Sequence, residues 1–595
     1  MKEFLKMTTA SIIGMLIAGG ILFFLSIGAL AGMAGAMMST ETETIVKDNS
    51  VFVLDLKGNI VERYEDNPFD QFFSEEITTR GLDDIISSIK KAKENPKIKG
   101  ILLNAEIVSC ATASLQEIRN ALVDFKSSGK FLVAYAGSYT QGAYYVSTAA
   151  DKLFINPSGS ISWHGLSAQT MFLKDLLQKV GVKMQIFRVG TYKSAVEPFI
   201  ATEMSQANKE QTQAYIESLW NEIVKEVSES RNIPTDKLNE LADTNMDFQP
   251  AETYIESGLA DELMYKDQVL AYIKTLTNTS ENSTLATLTL DDMKNVKDLA
   301  STVNVSSDKI AVYYAYGKID NPTDPYNEGI LSEKVTKHLR DLRNDDKIKA
   351  VVFRVNSPGG SAYGSEQIWR EIMLLREKKP VVVSMGDYAA SGGYYISCAA
   401  NWIVAEPTTL TGSIGIFGMI PDASELITQK LGVKFDGVKT NRLSDMGDMS
   451  RPFNAEEGAL IQNMVNNGYE LFTKRCAEGR NMPIDELKKI AEGRVWSGSM
   501  AKDLKLVDQL GGLNEAIEKA AELSGLSATG NYKIASYPKK VDVFTAIISN
   551  AKPERYFNSK IKESFGPFYQ GFSMINNIDK IDRMQARMPF EISIK

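Results

Sequence analysis

The chain reads as an α/β protein in which one large unit is used twice, and three observations carry that reading. The segment Gly386-Asp387-Tyr388-Ala389-Ala390-Ser391-Gly392-Gly393-Tyr394-Tyr395 is mirrored about 250 residues upstream by Ala136 to Tyr145, with Tyr394-Tyr395 on Tyr144-Tyr145 and Ser391 on Gln141. Such internal repeats take precedence over any other fold inference. Short β-branched or aromatic runs alternate with 3,4-spaced helical patterns, which implies βα units and a largely parallel sheet. Finally, 595 residues at 44% hydrophobic and 24% charged suffice for two or three ordinary globular cores.

In chain order, the first element is an apolar stretch. No residue between Lys6 and Glu41 is charged, and Ile12 to Met38 is rich in Ile, Leu, Phe, Gly and Ala. That length exceeds the roughly 20 residues a membrane-spanning helix needs. A cleaved secretory signal is the competing reading, since Ala29-Leu30-Ala31 and Ala34-Gly35-Ala36 resemble small-residue cleavage sites. Its apolar core, however, should run only about 7 to 15 residues. Lys2 and Lys6 before the span, with Glu41 and Glu43 after it, place the remainder outside the cytoplasm by the positive-inside bias.

Further copies of the repeat follow. Val51 to Ile60 resembles Ile310 to Ile319, Lys97-Ile98-Lys99-Gly100 resembles Lys347-Ile348-Lys349-Ala350, and Gly258 to Leu263 resembles Lys505 to Leu510. Strands are predicted at Ile310 to Tyr316, Ala350 to Val355, Pro380 to Met385 and Trp402 to Ala405, with a helix over Glu366 to Glu377. Helical patterns at Asn208 to Ser230 and Ala455 to Glu478 occupy corresponding places. The Ser/Thr/Asn-rich stretch from Thr275 reads as a connection. The predicted division is a membrane anchor over 1–40, a first repeat over 41–274, a linker over 275–308, a second repeat over 309–540, and a C-terminal extension over 541–595 with no counterpart upstream.

Composition narrows the function. A net charge of −9 without a Lys/Arg cluster interleaved with aromatics argues against nucleic acid as partner. Cys110, Cys398 and Cys476 are odd in number and far apart, so they form neither a disulfide framework nor a zinc site. Only His164 and His338 are present, which makes a Ser-His-Asp arrangement hard to assemble. No metal, nucleotide or redox cofactor is implied.

Two turns carry the chemistry. After the strand ending at Val355 comes Asn356-Ser357-Pro358-Gly359-Gly360-Ser361, whose paired glycines can turn backbone N–H groups toward a carbonyl oxygen. Such an oxyanion hole is worth about 3 to 4 kcal/mol per donor in acyl transfer. The same glycines also suit a plain strand-to-helix turn needing positive φ. The next strand ends in Ala389-Ala390-Ser391-Gly392-Gly393, where a Ser at the helix start exposes its hydroxyl and the Gly392 N–H joins the same anion site. On residues alone, Ser357, Ser361 and Ser413 compete with Ser391 as nucleophile.

These turns, together with Leu410-Thr411-Gly412-Ser413-Ile414-Gly415 and Gly493-Arg494-Val495-Trp496-Ser497-Gly498, resemble the signal peptide peptidase A family in its long, duplicated form, also called protease IV, over residues 45 to 535. The resemblance implies tandem Clp protease/crotonase-like domains built from repeated ββα units. It implies a Ser/Lys serine endopeptidase that hydrolyses remnant signal peptides through an acyl-enzyme, held by one N-terminal helix in a bacterial inner membrane with its body on the periplasmic side. A homotetramer is also implied.

By that resemblance Ser391 is the nucleophile and Ser413 orients the base, with Gly359, Gly360 and Gly392 at the oxyanion hole. Where related Clp proteases carry a base His, this chain has Val404-Ala405-Glu406-Pro407. Gly181-Val182-Lys183 matches Gly432-Val433-Lys434, which sets Lys193 on Ser444, so each repeat has kept one half of a dyad. A lysine base must be desolvated, since its ordinary pKa of about 10.4 leaves almost none unprotonated at neutral pH and each unit of lowering requires about 1.4 kcal/mol. Ile414 and Phe417, with Ile416, either line a specificity pocket or belong to the core. The competing classes are a crotonase-like acyl-CoA enzyme and a silent membrane scaffold.

Overall fold

The computed structural model describes residues 6–8, 14–15, 17–21, 43–64, 79–298, 306–320, 329–528, 530–540 and 584–588. Most of the predicted anchor over 1–40 and most of the 541–595 extension lie outside these residues. Among the described residues no helix is long and apolar enough to cross a membrane.

The first sheet is parallel, in the order β2 (Thr79–Gly81), β1 (Ser50–Val61), β3 (Ile98–Ser109), β4 (Phe131–Ala136), β5 (Lys152–Ile155) and β7 (Glu262–Leu263), with β8 (Thr287–Leu288) sharing with β2 the edge of β1 away from β3. The second repeats this order as β9 (Lys309–Tyr316), β10 (Ile348–Ser357), β12 (Val381–Ala390), β13 (Trp402–Ala405) and β17 (Gln509–Leu510), with β18 (Lys533–Tyr537) beside β9. β12 also pairs with β14 (Leu410–Gly412), which pairs antiparallel with β16 (Val495–Ser497). Val351, Val352, Phe353 and Val355 are all fully buried, as expected for a strand covered on both faces.

Helices cover these sheets through apolar positions three and four apart. In α1 (Leu82–Glu94) they are Leu82, Ile85, Ile86, Ile89 and Ala92. α2 (Thr112–Lys126), α3 (Gln141–Ser147) and the 26-residue α4 (Gln206–Arg231) complete the first core. The stretch 275–308, expected as a connection, instead contributes β8 and α5 (Leu290–Lys294) to the first unit, because Leu288, Leu290 and Met293 are apolar and buried there. In the second unit α6 (Ser332–Asn344), α7 (Ala362–Arg376), α8 (Gly392–Ser397), α9 (Ala455–Gly479) and α10 (Leu513–Leu523) play the corresponding parts.

The units are joined by a third, antiparallel sheet. β6 (Lys183–Arg188) of the first pairs with β15 (Phe417–Asp422) of the second, from Lys183 opposite Asp422 to Arg188 opposite Phe417. The same sheet contains β11 (Gly359–Ser361) and β19 (Gln585–Arg587). A buried cluster adds to the joint: Arg354 donates to Glu62 at 2.5 Å and to Glu117 at 2.7 Å, both from the first unit. β6 leads directly into the turn that carries Lys193.

Candidate functional site

Lys193 is delivered to the second unit by a turn built for close approach. Tyr192 N donates to Glu492 O at 3.0 Å, Gln211 on α4 donates to Tyr192 O and Ser194 Oγ while accepting from Val495 N, and Arg494 lies over the Tyr192 ring. Gly493 has φ +78°, and a Cβ there would lie 2.7 Å from Lys193 Cβ. Only glycine allows both that conformation and that contact.

The Lys193 side chain is fully buried and makes three hydrogen bonds: to Ser391 Oγ at 2.8 Å, Ser413 O at 2.9 Å and Ser413 Oγ at 3.0 Å. Burial, the sole cause of the shift, holds its amine well below the usual lysine value of 10.5. A neutral amine fits these partners: its lone pair accepts the Ser391 hydroxyl proton while its two N–H groups donate to Ser413.

Ser391 sits between β12 and α8 with φ +56° and ψ −113°, a conformation costly for a non-glycine residue. Its N–H donates to Gly412 O at 2.8 Å, its carbonyl accepts from Tyr395 N, and its hydroxyl caps no helix, so Oγ points at Lys193. The other serines are otherwise engaged. Ser357 Oγ accepts from Gly359 N at 3.1 Å, and Ser361 Oγ caps α7 through Gly364 N. Ser413, also at positive φ, donates its N–H to Arg494 O.

The expected oxyanion glycines separate. Gly359 N–H is taken by Ser357, but its Cα packs close to Gly392: a Cβ on Gly359 would lie 2.7 Å from Gly392 N and 2.1 Å from Ala586 O. Gly360 stands opposite Ala586 in the third sheet. Thus Gly360 and Gly392 flank one carbonyl oxygen, with Gly359 supplying the room.

Ile414 and Phe417 are packed in apolar clusters, Phe417 with Ala195 and Val196, and neither opens to solvent. His164 is exposed on the first unit, and His338 is bonded to Tyr313 Oη at 3.0 Å. Glu406 is buried and engaged by Asn120 of α2, and burial pushes its carboxyl well above the usual range. In the first unit, Gln141 spends its amide on the backbone of His164 and Gly165. No group of three or more His, Cys, Asp or Glu disposed to hold a metal occurs among the described residues.

Two contributors escaped the sequence reading. Gly493 was visible only as part of a motif, and nothing upstream aligned with Ala586.

Known proteins are similar to this chain in sequence. The model of peptidase family S49 matches residues 124–280 and 373–527. Protease 4 of Haemophilus influenzae is 38% identical over 450 residues, 74% of this chain and 72% of its own length. Protease 4 of Salmonella typhi is 38% identical over 80% of this chain and 78% of its own. The chloroplastic serine protease SPPA of Arabidopsis thaliana is 32% identical over 81% of this chain and 70% of its own.

Proposed function

Because the chain belongs to peptidase family S49 and is a serine protease, we propose that it cleaves peptides with a Ser391–Lys193 dyad shared between its two units. The observation that carries this reading is the buried Lys193 amine 2.8 Å from Ser391 Oγ, with burial alone holding it toward the neutral form.

Lys193 takes the Ser391 proton as Oγ attacks the peptide carbonyl. The carbonyl oxygen becomes an anion against the Gly360 and Gly392 N–H groups. The lysine ammonium gives its proton to the departing amine, and the freed amine then draws a proton from the water that hydrolyses the acyl-enzyme. Ser413 orients the amine through both its oxygens. Each unit is a Clp protease/crotonase-like domain, and Gln141 leaves the first without a nucleophile of its own.

The substrates are remnant signal peptides and other small or unfolded apolar peptides, met beside a bacterial inner membrane to which the apolar stretch Ile12 to Met38 tethers an extracytoplasmic body. Assembly into a tetramer is supported by the repeat itself. The second-unit counterpart of β6, residues 434–439, exposes Phe435 and Val438, and residues 166–171, the first-unit counterpart of β15, end at the exposed Met171. The pairing that joins β6 to β15 within the chain is thus open between chains.

The test is hydrolysis of a defined signal peptide by wild type beside Ser391→Ala and Lys193→Ala. Cleavage by wild type alone is expected. Cleavage that survives Ser391→Ala contradicts the assignment.

A further inference from the structure

A buried side-chain amide must find partners for its N–H groups and its oxygen alike. Gln211, near the start of α4 and 1% exposed, finds them on both units. Its Nε2 donates to Tyr192 O at 3.0 Å, Ser194 Oγ at 2.9 Å and Asn208 Oδ1 at 3.2 Å, so two N–H groups are shared among three acceptors. Its Oε1 accepts from Val495 N at 3.2 Å. On the first unit, Tyr192 and Ser194 are the residues that flank Lys193. On the second, Val495 stands opposite Gly412, whose carbonyl accepts from Ser391 N, and follows Arg494, whose carbonyl accepts from Ser413 N. One side chain thus reaches from the turn that carries the base to the backbone that fixes both serines.

The direction of that amide is set by a carboxylate. Glu197 is buried, and its carboxylate only accepts: from Ser205 N at 3.2 Å, Ser205 Oγ at 2.5 Å and Asn208 Nδ2 at 3.1 Å. Asn208 therefore presents its nitrogen to Glu197 and its oxygen to Gln211, and Gln211 in turn presents its nitrogen to Asn208 and to the Lys193 turn. A second arm reaches the same turn, for Arg188 Nη1 lies 4.0 Å from Glu197 and donates to Lys193 O at 3.4 Å. The Lys193 amine bonds to Ser391 and Ser413, and burial is the sole cause of its lowered pKa. Glu197, Asn208 and Gln211 thus act on the backbone that carries the amine and not on its charge.

Resting on the Ser391–Lys193 reading, we propose that Gln211 is a positioning residue for the general base, oriented by Glu197 through Asn208 and holding Lys193 in register with Ser391 across the joint between the units. Displacing a reacting group by about 1 Å costs about 100-fold in rate, so Gln211→Ala lowers kcat by about 10- to 100-fold. Gln211 is buried inside the joint, and KM stays within about twofold. Gln211→Glu keeps the shape and reverses the polarity: ionised, it turns lone pairs toward Tyr192 O and Asn208 Oδ1, and only its protonated form donates. Burial against these acceptors holds the new carboxyl above the ordinary value of about 4.3. The ratio of Gln211→Glu to wild-type kcat therefore climbs about tenfold as the pH falls through that ionisation.

The test is the rate at which a fluorophosphonate labels Ser391 in the full chain, for wild type, Gln211→Ala, Lys193→Met and the double variant, each shown to be folded by urea denaturation. A residue that acts through the lysine has nothing left to act on once the lysine is gone. Gln211→Ala is expected to slow labelling about 10- to 100-fold in the wild-type background and less than about twofold in the Lys193→Met background. Equal fractional losses in both backgrounds make Gln211 a structural prop and overturn the proposal, as does the absence of any loss in the wild-type background. Where the alanine variant does not fold, Gln211→Glu decides: a kcat ratio to wild type that rises as the pH falls supports the proposal, and a flat ratio overturns it. Labelling and hydrolysis that Lys193→Met leaves unchanged are a different result, read before Gln211 is touched, and they remove the dyad itself.

Discussion

Replacing Gly493 by Ala tests how finely Lys193 is placed. The added methyl would lie 2.7 to 2.8 Å from the Cβ, Cα and N of Lys193, about 0.6 Å short of the 3.4 Å at which ordinary contact begins. Those three atoms cannot rotate away, and the turn that carries them is pinned to Glu492 and Gln211. The turn must therefore retreat, drawing the amine off Ser391. A 1 Å misplacement at a reacting group costs about 100-fold in rate, so a shift of this size is expected to lower kcat/KM by about 10- to 100-fold. The left-handed φ of +78° adds about 1 to 2 kcal/mol of strain. Gly129→Ala is the matched control, with φ +76° and nothing within 4 Å of the new methyl. It carries the strain without the collision. Calorimetry on both variants, beside kcat/KM on a quenched fluorescent peptide, separates the two effects. Gly493→Ala within about twofold of wild type, or an equal activity loss in Gly129→Ala, refutes the close-approach account.

Other substitutions probe other parts. Lys193→Met should lower kcat by about 100- to 10,000-fold yet raise stability at neutral pH. In the folded protein the amine pKa is depressed, so the unfolded chain holds the extra proton and stability climbs with pH from well below 10.5 until the ordinary lysine value. Denaturation of wild type across that range shows the slope, and the Met variant should lack it. Arg354→Met leaves Glu62 and Glu117 buried without their partner and should cost about 3 to 5 kcal/mol in urea denaturation. Gln141→Ala removes three bonds to the backbone of residues 164 and 165, expected to cost about 1 to 3 kcal/mol. Peptide hydrolysis should be unaffected, since all three bonds stay within the first unit and none reaches Lys193 or Ser391.

The strands of the second sheet were legible because β-branched runs such as Val351 to Val355 are buried on both faces and bounded by turns. The repeat alignment singled out Lys193 as the lysine to set beside Ser391, and the two side chains lie 2.8 Å apart. Three things were not legible. The engagement of Gly359 N–H by Ser357 Oγ depends on one hydroxyl rotamer that no motif encodes. The stretch from Thr275 looked like a linker by composition, yet two paired residues and one turn of helix suffice to fasten it to β1. Residues 584–588 had neither an upstream copy nor enough length to show a period; their place is set entirely by the walls they fill.

The claim on which the mechanism rests is that a neutral lysine from one unit activates a serine in the other. The most direct measurement is the rate at which a fluorophosphonate labels Ser391, located by peptide mass spectrometry and followed against pH in wild type and Lys193→Met. The account predicts a wild-type rate that rises through an ionisation well below 10.5, and a Lys193→Met rate at least about 100-fold lower with that ionisation gone. Equal labelling of the two proteins with the same pH profile would contradict it.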